Sequence, residues 1–398
     1  MKSGLTPAFR MLKLTYGTYL KRRYHMKGEG IEKVIPYKGP AIVFGNHTHT
    51  LDPFFISALY PYTIRWVAGS YLFKMKGVSF LLRHLVRAIP KIQGRSDLET
   101  IRSISAALKK GDIVGLFPEG TRSWDGEMMD ITAATAKLVR IFKVPVIFVH
   151  IEGGFLNKPR WSDTERKGPV SIKVTEVLTP ERIASMSLSE ITKVVEDNLT
   201  FSTDKWEEQA RISYPSDKGA ERIERLFYMC PSCHAISTME SSGNTVRCTK
   251  CSYSADLDEY GRIHTTRGEF TKLSEWHEWE KGELSKLIDE KDGELFSDHC
   301  ILFQTPGKKK LEDVSTSFSV SATRNELTFV FPSAVNIRGN VTDKLVIPVS
   351  SIESLVINAK QTIEFYSDGK QYRFRVDENR SPLKYQELWL LVRERSIE

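Results

Sequence analysis

Two short runs hold residue types from which acid–base chemistry is built. The first is Gly45-Asn46-His47-Thr48-His49-Thr50-Leu51-Asp52-Pro53, which follows a stretch of β-branched residues. A carboxylate reaching the Nδ1–H of an imidazole fixes its tautomer and leaves Nε2 to take a proton. The same run also fits a plainer structure, with Asp52 capping a helix that starts at Pro53 and His47 satisfied in the core. The motif alone does not separate the two. The second run, Pro118-Glu119-Gly120-Thr121-Arg122-Ser123, follows another strand-like stretch. Gly120 permits close backbone approach, Thr121 and Ser123 supply hydroxyls, and Arg122 offers a planar fork matched to phosphate oxygens. Such a loop binds an oxyanion. No Ser or Cys flanks His47 as a nucleophile.

A third constellation has metal-ligand spacing. Cys230-Pro231-Ser232-Cys233 and Cys248-Thr249-Lys250-Cys251 are separated by fourteen residues that include Ser242-Gly243-Asn244. Two such knuckles around a hairpin read as a zinc ribbon, four thiolates in a closed tetrahedron. A closed site has no open coordination position, so the Zn2+ is expected to be structural. A redox dithiol needs only one pair and a βαβ setting, which is absent. Cys300, the fifth cysteine, reads as an ordinary buried residue and His234 as a solvated one.

Around these clusters, residues 41–45, 112–117, 144–150 and 170–177 read as short strands, and 98–110, 132–142 and 181–200 as helices. Their alternation predicts an α/β domain. Ser213–Gly219 marks a linker, and an acidic helix is expected within 264–292. Beyond it, Ser315, Ser317, Ser319 and Ser321 alternate with Val314, Thr316, Phe318 and Val320, the period of a strand. Ile363 and Phe365 face Tyr372, Phe374 and Val376 across Asp368-Gly369, a hairpin turn. A last helix opens at Ser381-Pro382 and carries Tyr385, Leu388, Leu391 and Val392 on one face.

Together and in this order the first two clusters resemble the PlsC-type glycerolipid acyltransferases, the lysophosphatidate acyltransferase family. NHTHTLDP is similar to that family's His-x-x-x-x-Asp block and FPEGTRS to its acceptor-binding block. Ile92-Gln93-Gly94-Arg95 stands where the family has a block ending in arginine, and Val144-Pro145-Val146-Ile147 resembles its fourth block. The resemblance spans roughly residues 30–200. It implies a mixed sheet flanked by helices. The implied activity moves a fatty acyl group from acyl-CoA or acyl carrier protein onto 1-acyl-glycerol-3-phosphate, making phosphatidate. His47 is then the base and Asp52 its orienting partner, while Arg95, Glu119, Gly120, Thr121 and Arg122 form the acceptor pocket. Glu119 is expected to hold Arg122 in the empty enzyme. The alternatives are another lysophospholipid acceptor or a non-catalytic lipid-binding adaptor. Two departures stand out. His49 replaces a usual Ser, as a hydrogen-bond substitute or a surface residue. Ile131-Thr132-Ala133-Ala134-Thr135 replaces a Phe-Lys-Lys-Gly-like segment, which removes positive charge near the acceptor.

The chain has 398 residues, 27% of them charged, and a net charge of +7. Six Lys/Arg and no acids fall within residues 1–26, and Leu5, Phe9, Leu12, Tyr16, Tyr19, Leu20 and Tyr24 recur at helical spacing between them. A basic amphipathic helix of this kind lies on an anionic membrane surface or packs on its own domain. No run approaches the length of a membrane span or a secretory leader, so the expected location is cytoplasmic, peripheral on the inner face of the membrane. Residues 228–252 carry only Arg247 and Lys250 against Glu240, too little charge for nucleic acid. The resulting organisation is an N-terminal helix (1–28), an acyltransferase-like domain (29–212), a zinc ribbon (222–264) and a β-rich domain (265–398). The last resembles pleckstrin-homology or GRAM-like barrels closed by a C-terminal helix, with Lys308-Lys309-Lys310 as a possible headgroup contact.

Overall fold

A computed structural model describes residues 7–75, 77–92, 98–129, 131, 133–307 and 311–396. Leu5, Gln93, Gly94, Arg95, Thr132 and the three lysines 308–310 lie outside them. The chain divides into two compact units, 1–160 with 165–215, and 161–164 with 216–398.

The first unit is built on seven strands: β1 (Lys27–Glu29), β2 (Ala41–Gly45), β3 (Ile64–Gly69), β4 (Ile89–Lys91), β5 (Ile113–Leu116), β6 (Val146–Glu152) and β7 (Ser171–Leu178). Their order is β1-β7-β6-β2-β5-β3-β4. Every neighbouring pair is parallel except β6 with β7. Strand β2 is buried along its whole length, as a central strand covered on both faces must be. Its residues alternate between two cores. Ala41 and Val43 join Phe55, Trp66 and Ile147 on one side. Ile42 and Phe44 join Ile104, Val139 and Phe148 on the other. Helices Leu98–Lys109, Ala133–Phe142 and Leu188–Leu199 cover the second face.

The four expected strands and the two central helices are present within a few residues. The helix expected over 181–200 is instead two, Pro180–Ser185 and Leu188–Leu199. Ser187 restarts the second by a reciprocal cap: its Oγ accepts from Glu190 N while Glu190 accepts from Ser187 N at 2.7 Å. The basic N-terminal run forms helical turns from 7 to 23. Phe9, Leu20 and Tyr24 are buried against the unit's own core, whereas Met11, Leu14 and Tyr19 are more than half exposed.

In the second unit, β8 (Met239–Ser242), β9 (Thr245–Cys248), β10 (Ser254–Leu257) and β11 (Ile263–Thr265) form an antiparallel sheet in the order β11-β10-β9-β8. The helix Leu273–Glu290 follows. Then come β12 (Phe296–Pro306), β13 (Leu311–Ser315), β14 (Phe318–Ala322), β15 (Glu326–Ile337), β16 (Asn340–Pro348), β17 (Ile352–Asn358), β18 (Thr362–Ser367) and β19 (Lys370–Val376). They make one antiparallel sheet, β16-β15-β14-β12-β19-β18-β17, with β13 also on β12. The serine alternation is two strands rather than one. Ser315 Oγ donates to Ser317 O and turns the chain between β13 and β14, the local competition with the ladder that serine offers. The turn at Asp368-Gly369 has positive φ at both residues, and Ile363 pairs with Phe374 and Phe365 with Tyr372. The closing helix, Leu383–Arg395, is capped by Ser381 Oγ accepting from Leu383 N.

Buried polar groups tie this unit together. Glu280 accepts from the N–H groups of Tyr228 and Met229, just before Cys230. Glu387 accepts from the Tyr228 hydroxyl and meets His277 Nε2 at 2.7 Å. Asp298 and Lys384 pair at 2.7 Å with neither side chain exposed, and Tyr385 and Ser237 also donate to Asp298. A buried charge of this kind persists only when its remaining hydrogen bonds are made.

Candidate active site

Strands β2 and β5 lie side by side, parallel, with Phe44 opposite Leu116. Parallel neighbours deliver their C-terminal ends to the same edge of the sheet, where open α/β sheets bind ligands. The loops after Gly45 and after Leu116 therefore meet. Asn46 anchors the first: its Oδ1 accepts from Ile151 N at 2.7 Å and its Nδ2 donates to Ile151 O at 3.1 Å. Asp52, fully buried, begins the helix Asp52–Leu59. Its Oδ2 receives the N–H groups of Thr48 and His49 and lies 2.8 Å from Nδ1 of His47. The plain and the chemical readings of Asp52 thus coincide. One carboxylate oxygen both folds the loop and orients the imidazole.

The His47 ring is 20% exposed. It stacks on Phe117 at 4.2 Å, and Phe117 stacks on Trp66 at 4.9 Å. Burial holds its pKa below the ordinary imidazole value; Asp52 pulls the other way, and the charges of Arg122 and Arg160 add to the lowering. A neutral imidazole whose Nδ1–H is engaged by a carboxylate is a base at Nε2. His49 is not a surface residue. It is 1% exposed, packs on Phe55, and its Nδ1 accepts from Leu51 N at 2.9 Å, a hydrogen-bonding role. Burial pushes its pKa down to about 4.

The second loop is stapled to the first. Ser123 N donates to His47 O, and Glu119 Oε1 accepts from His47 N at 2.6 Å. Glu119 Oε2 accepts from Met129 N at 3.2 Å. In place of the expected pairing with Arg122, Glu119 makes these two backbone contacts. Burial pushes Glu119 up to about 8, against the pull of those two donors. Gly120 sits at φ +72, a conformation that favours glycine. Arg122 has no carboxylate within ion-pair distance among the described residues. Thr121 Oγ1 and the Arg122 carbonyl both accept from Nη1 of Arg160 at 2.8 Å.

Arg160 had no place in the sequence reading. It is 2% exposed and its guanidinium lies 4.2 Å over the ring of Trp124. Its only sequence signal is a charge between Pro159 and Trp161, just beyond the fourth block. Trp66, the last ring of the His47–Phe117–Trp66 stack, also lines an apolar cavity of about 130 Å³, with Leu12, Tyr16, Phe54 and Val86 among others. Thr50 and Pro53 also line it, so it borders the loop that carries His47 and Asp52.

In the second unit the four sulfurs of Cys230, Cys233, Cys248 and Cys251 lie within 4.8 Å of one another. Cys230 to Cys251 is 3.6 Å and Cys233 to Cys248 is 3.7 Å. Zinc–sulfur bonds of 2.3 Å in a tetrahedron put the sulfurs about 3.8 Å apart, so the donor set fits one zinc ion. Cys300 is buried away from this cluster, and His234 is exposed and pairs with Glu283.

Residues 25–152 match the family model described as Acyltransferase. The matched stretch contains His47, Asp52 and the whole 118–123 loop. A 1-acyl-sn-glycerol-3-phosphate acyltransferase of Chlamydomonas reinhardtii is 27% identical over 173 residues, 43% of this chain. The chain spans about half of that protein's length (52%). The 1-acyl-sn-glycerol-3-phosphate acyltransferase of Bacillus subtilis is 26% identical over 150 residues, 35% of this chain and 72% of that protein. The crystal structure of PlsC, the 1-acyl-sn-glycerophosphate acyltransferase of Thermotoga maritima, is 25% identical with a TM-score of 0.41, covering 52% of this chain and 84% of that one. The family-model match ends at residue 152, the last of β6, and the ribbon and β-rich sheet lie beyond that match.

Proposed function

We propose that this protein is a 1-acyl-glycerol-3-phosphate O-acyltransferase that uses acyl-CoA or acyl carrier protein as donor and makes phosphatidate. The observation that carries this reading is the His47–Asp52 pair beside Arg122, a guanidinium with no carboxylate partner among the described residues. Nε2 of His47 takes the proton of the acceptor hydroxyl as its oxygen attacks the thioester carbonyl carbon. The carbon–sulfur bond then breaks, and the imidazolium returns the proton to the leaving thiolate. A thioester has a good leaving group, so a positioned base and binding of the acceptor suffice without an acyl-enzyme. Arg122 holds the acceptor phosphate, together with Arg95 on the resemblance, and the apolar cavity takes acyl chain.

The test is incubation of the purified chain with acyl-CoA and a panel of lysolipids, with products identified by mass. The weaker positive charge at 131–135 gives the panel its second purpose. A preference for a lysophospholipid with a capped phosphate would replace the lysophosphatidate assignment. We further assign one structural zinc to Cys230, Cys233, Cys248 and Cys251, where it would fold the ribbon and take no part in transfer. The chain attaches peripherally to anionic membrane through Met11, Leu14 and Tyr19 with the exposed Arg10, Lys21, Arg22 and Arg23. No described helix is long and apolar enough to cross a membrane.

A further inference from the structure

We propose that Arg160 is a positioning residue for the anion site, holding the backbone at Thr121 and Arg122 so that the Arg122 guanidinium presents itself to a phosphate beside His47. The inference rests on the acyltransferase reading for its substrate, but its geometry stands apart from it.

Arg160 follows the short helix Gly154–Asn157, far in sequence from the loop it serves. One nitrogen, Nη1, donates to both Thr121 Oγ1 and the Arg122 carbonyl at 2.8 Å. The guanidinium face lies over Trp124, two residues further along the same loop. Three contacts therefore converge on residues 121–124 from a single buried side chain. They hold the loop just beyond the turn that Gly120 makes at positive φ. A planar fork that also stacks on an aromatic ring meets all three demands, whereas a lysine ammonium meets one or two.

The electrostatics give the arrangement a purpose. The charges of Arg122 and Arg160 oppose each other, and both act on His47. Two like charges close enough to act on each other, one of them buried, repel, and an arriving dianion relieves them. Arg160 thus sets where the anion binds without touching it.

The experiment compares the full chain with Arg160→Met, Arg160→Lys and Thr121→Val. Binding of glycerol 3-phosphate is measured by calorimetry at matched ionic strength, without turnover. KM for lysophosphatidate and for acyl-CoA are measured separately. The expected result is a roughly tenfold loss of glycerol 3-phosphate affinity in Arg160→Met, the size of one lost charge-assisted hydrogen bond. KM for lysophosphatidate rises by a similar factor, KM for acyl-CoA stays put, and Arg160→Lys recovers only part. Thr121→Val keeps the buried charge and removes one acceptor, so it tests the same contact if Arg160→Met does not fold; it should weaken glycerol 3-phosphate too. Unchanged affinity in both folded variants, or equal rises in the two KM values, overturns the proposal. A chain whose glycerol 3-phosphate affinity depends on Arg160 but that transfers no acyl group loses the enzymatic reading and keeps this one.

Discussion

His47 and His49 are two imidazoles on one loop with different fates, and they make the sharpest comparison available. His47→Ala should lower turnover by about 10²–10⁴, the usual worth of a general base, with the fold intact. His49→Ala should act on stability instead. It removes the acceptor of the half-buried Leu51 N–H and leaves a cavity, costing on the order of 1–3 kcal/mol, while activity per folded molecule changes little. Thermal melts beside steady-state rates separate the two. The pH dependence follows from the same environment. Burial depresses His47, so its titration, followed by NMR of labelled histidine and assigned by His47→Ala, should have a midpoint below the model-peptide value of about 6.5. Asp52, Arg122 and Arg160 are the charges that act on it. The neutral ring is the working form, so activity is present above that midpoint and disappears as pH falls through it. A midpoint at or above the ordinary value would mean that Asp52 outweighs burial and both arginines. Arg122→Lys should raise KM for the lysolipid and leave that for acyl-CoA nearly unchanged, since lysine lacks the two-pronged contact.

Elements explain why these residues meet, and Glu119 is the link between scales. It bridges the loop after β2 and the loop after β5 by accepting one N–H from each side of the site. Glu119→Gln should therefore impair both loops, since an amide nitrogen must then face an N–H donor. A fall in kcat together with a lower melting temperature is expected; a variant as stable and active as the parent would remove Glu119 from the framework. Glu119 also marks the limit of what sequence reveals. Its place in the motif was legible, but its partners are backbone donors, and those depend on how β2 and β5 pair. Arg160 was illegible for a related reason: no periodicity or spacing links position 160 to position 121. Likewise, the alternating serines announced a strand but not its break, because period two says nothing about where Ser315 turns the chain. By contrast β2, β5 and β6 were readable, as buried parallel strands are short β-branched runs. Strand β3 and the edge strand β4 lack so clear a run and were not anticipated.

At the scale of the whole molecule, the N-terminal turns spend most of their expected apolar face on their own core. That leaves a small exposed set for lipid. Binding to anionic vesicles should accordingly be weak and salt-sensitive, each Lys or Arg contributing about 1 kcal/mol at most, and should fall when residues 1–24 are deleted or Leu14 becomes Glu. Flotation at low and high salt reads this directly; equal binding without the segment would make it a packing element only. Metal analysis should find about one zinc per chain. Cys248→Ser should loosen the second unit before it harms turnover, because the cysteines lie outside the stretch that carries His47. The account as a whole turns on one assay: purified chain, acyl-CoA and lysophosphatidate, with phosphatidate quantified by mass for the parent and for His47→Ala. It predicts phosphatidate from the parent and almost none from the variant. Equal product from both, or none from a folded, zinc-replete parent on lysophosphatidate or any other lysolipid, would contradict it.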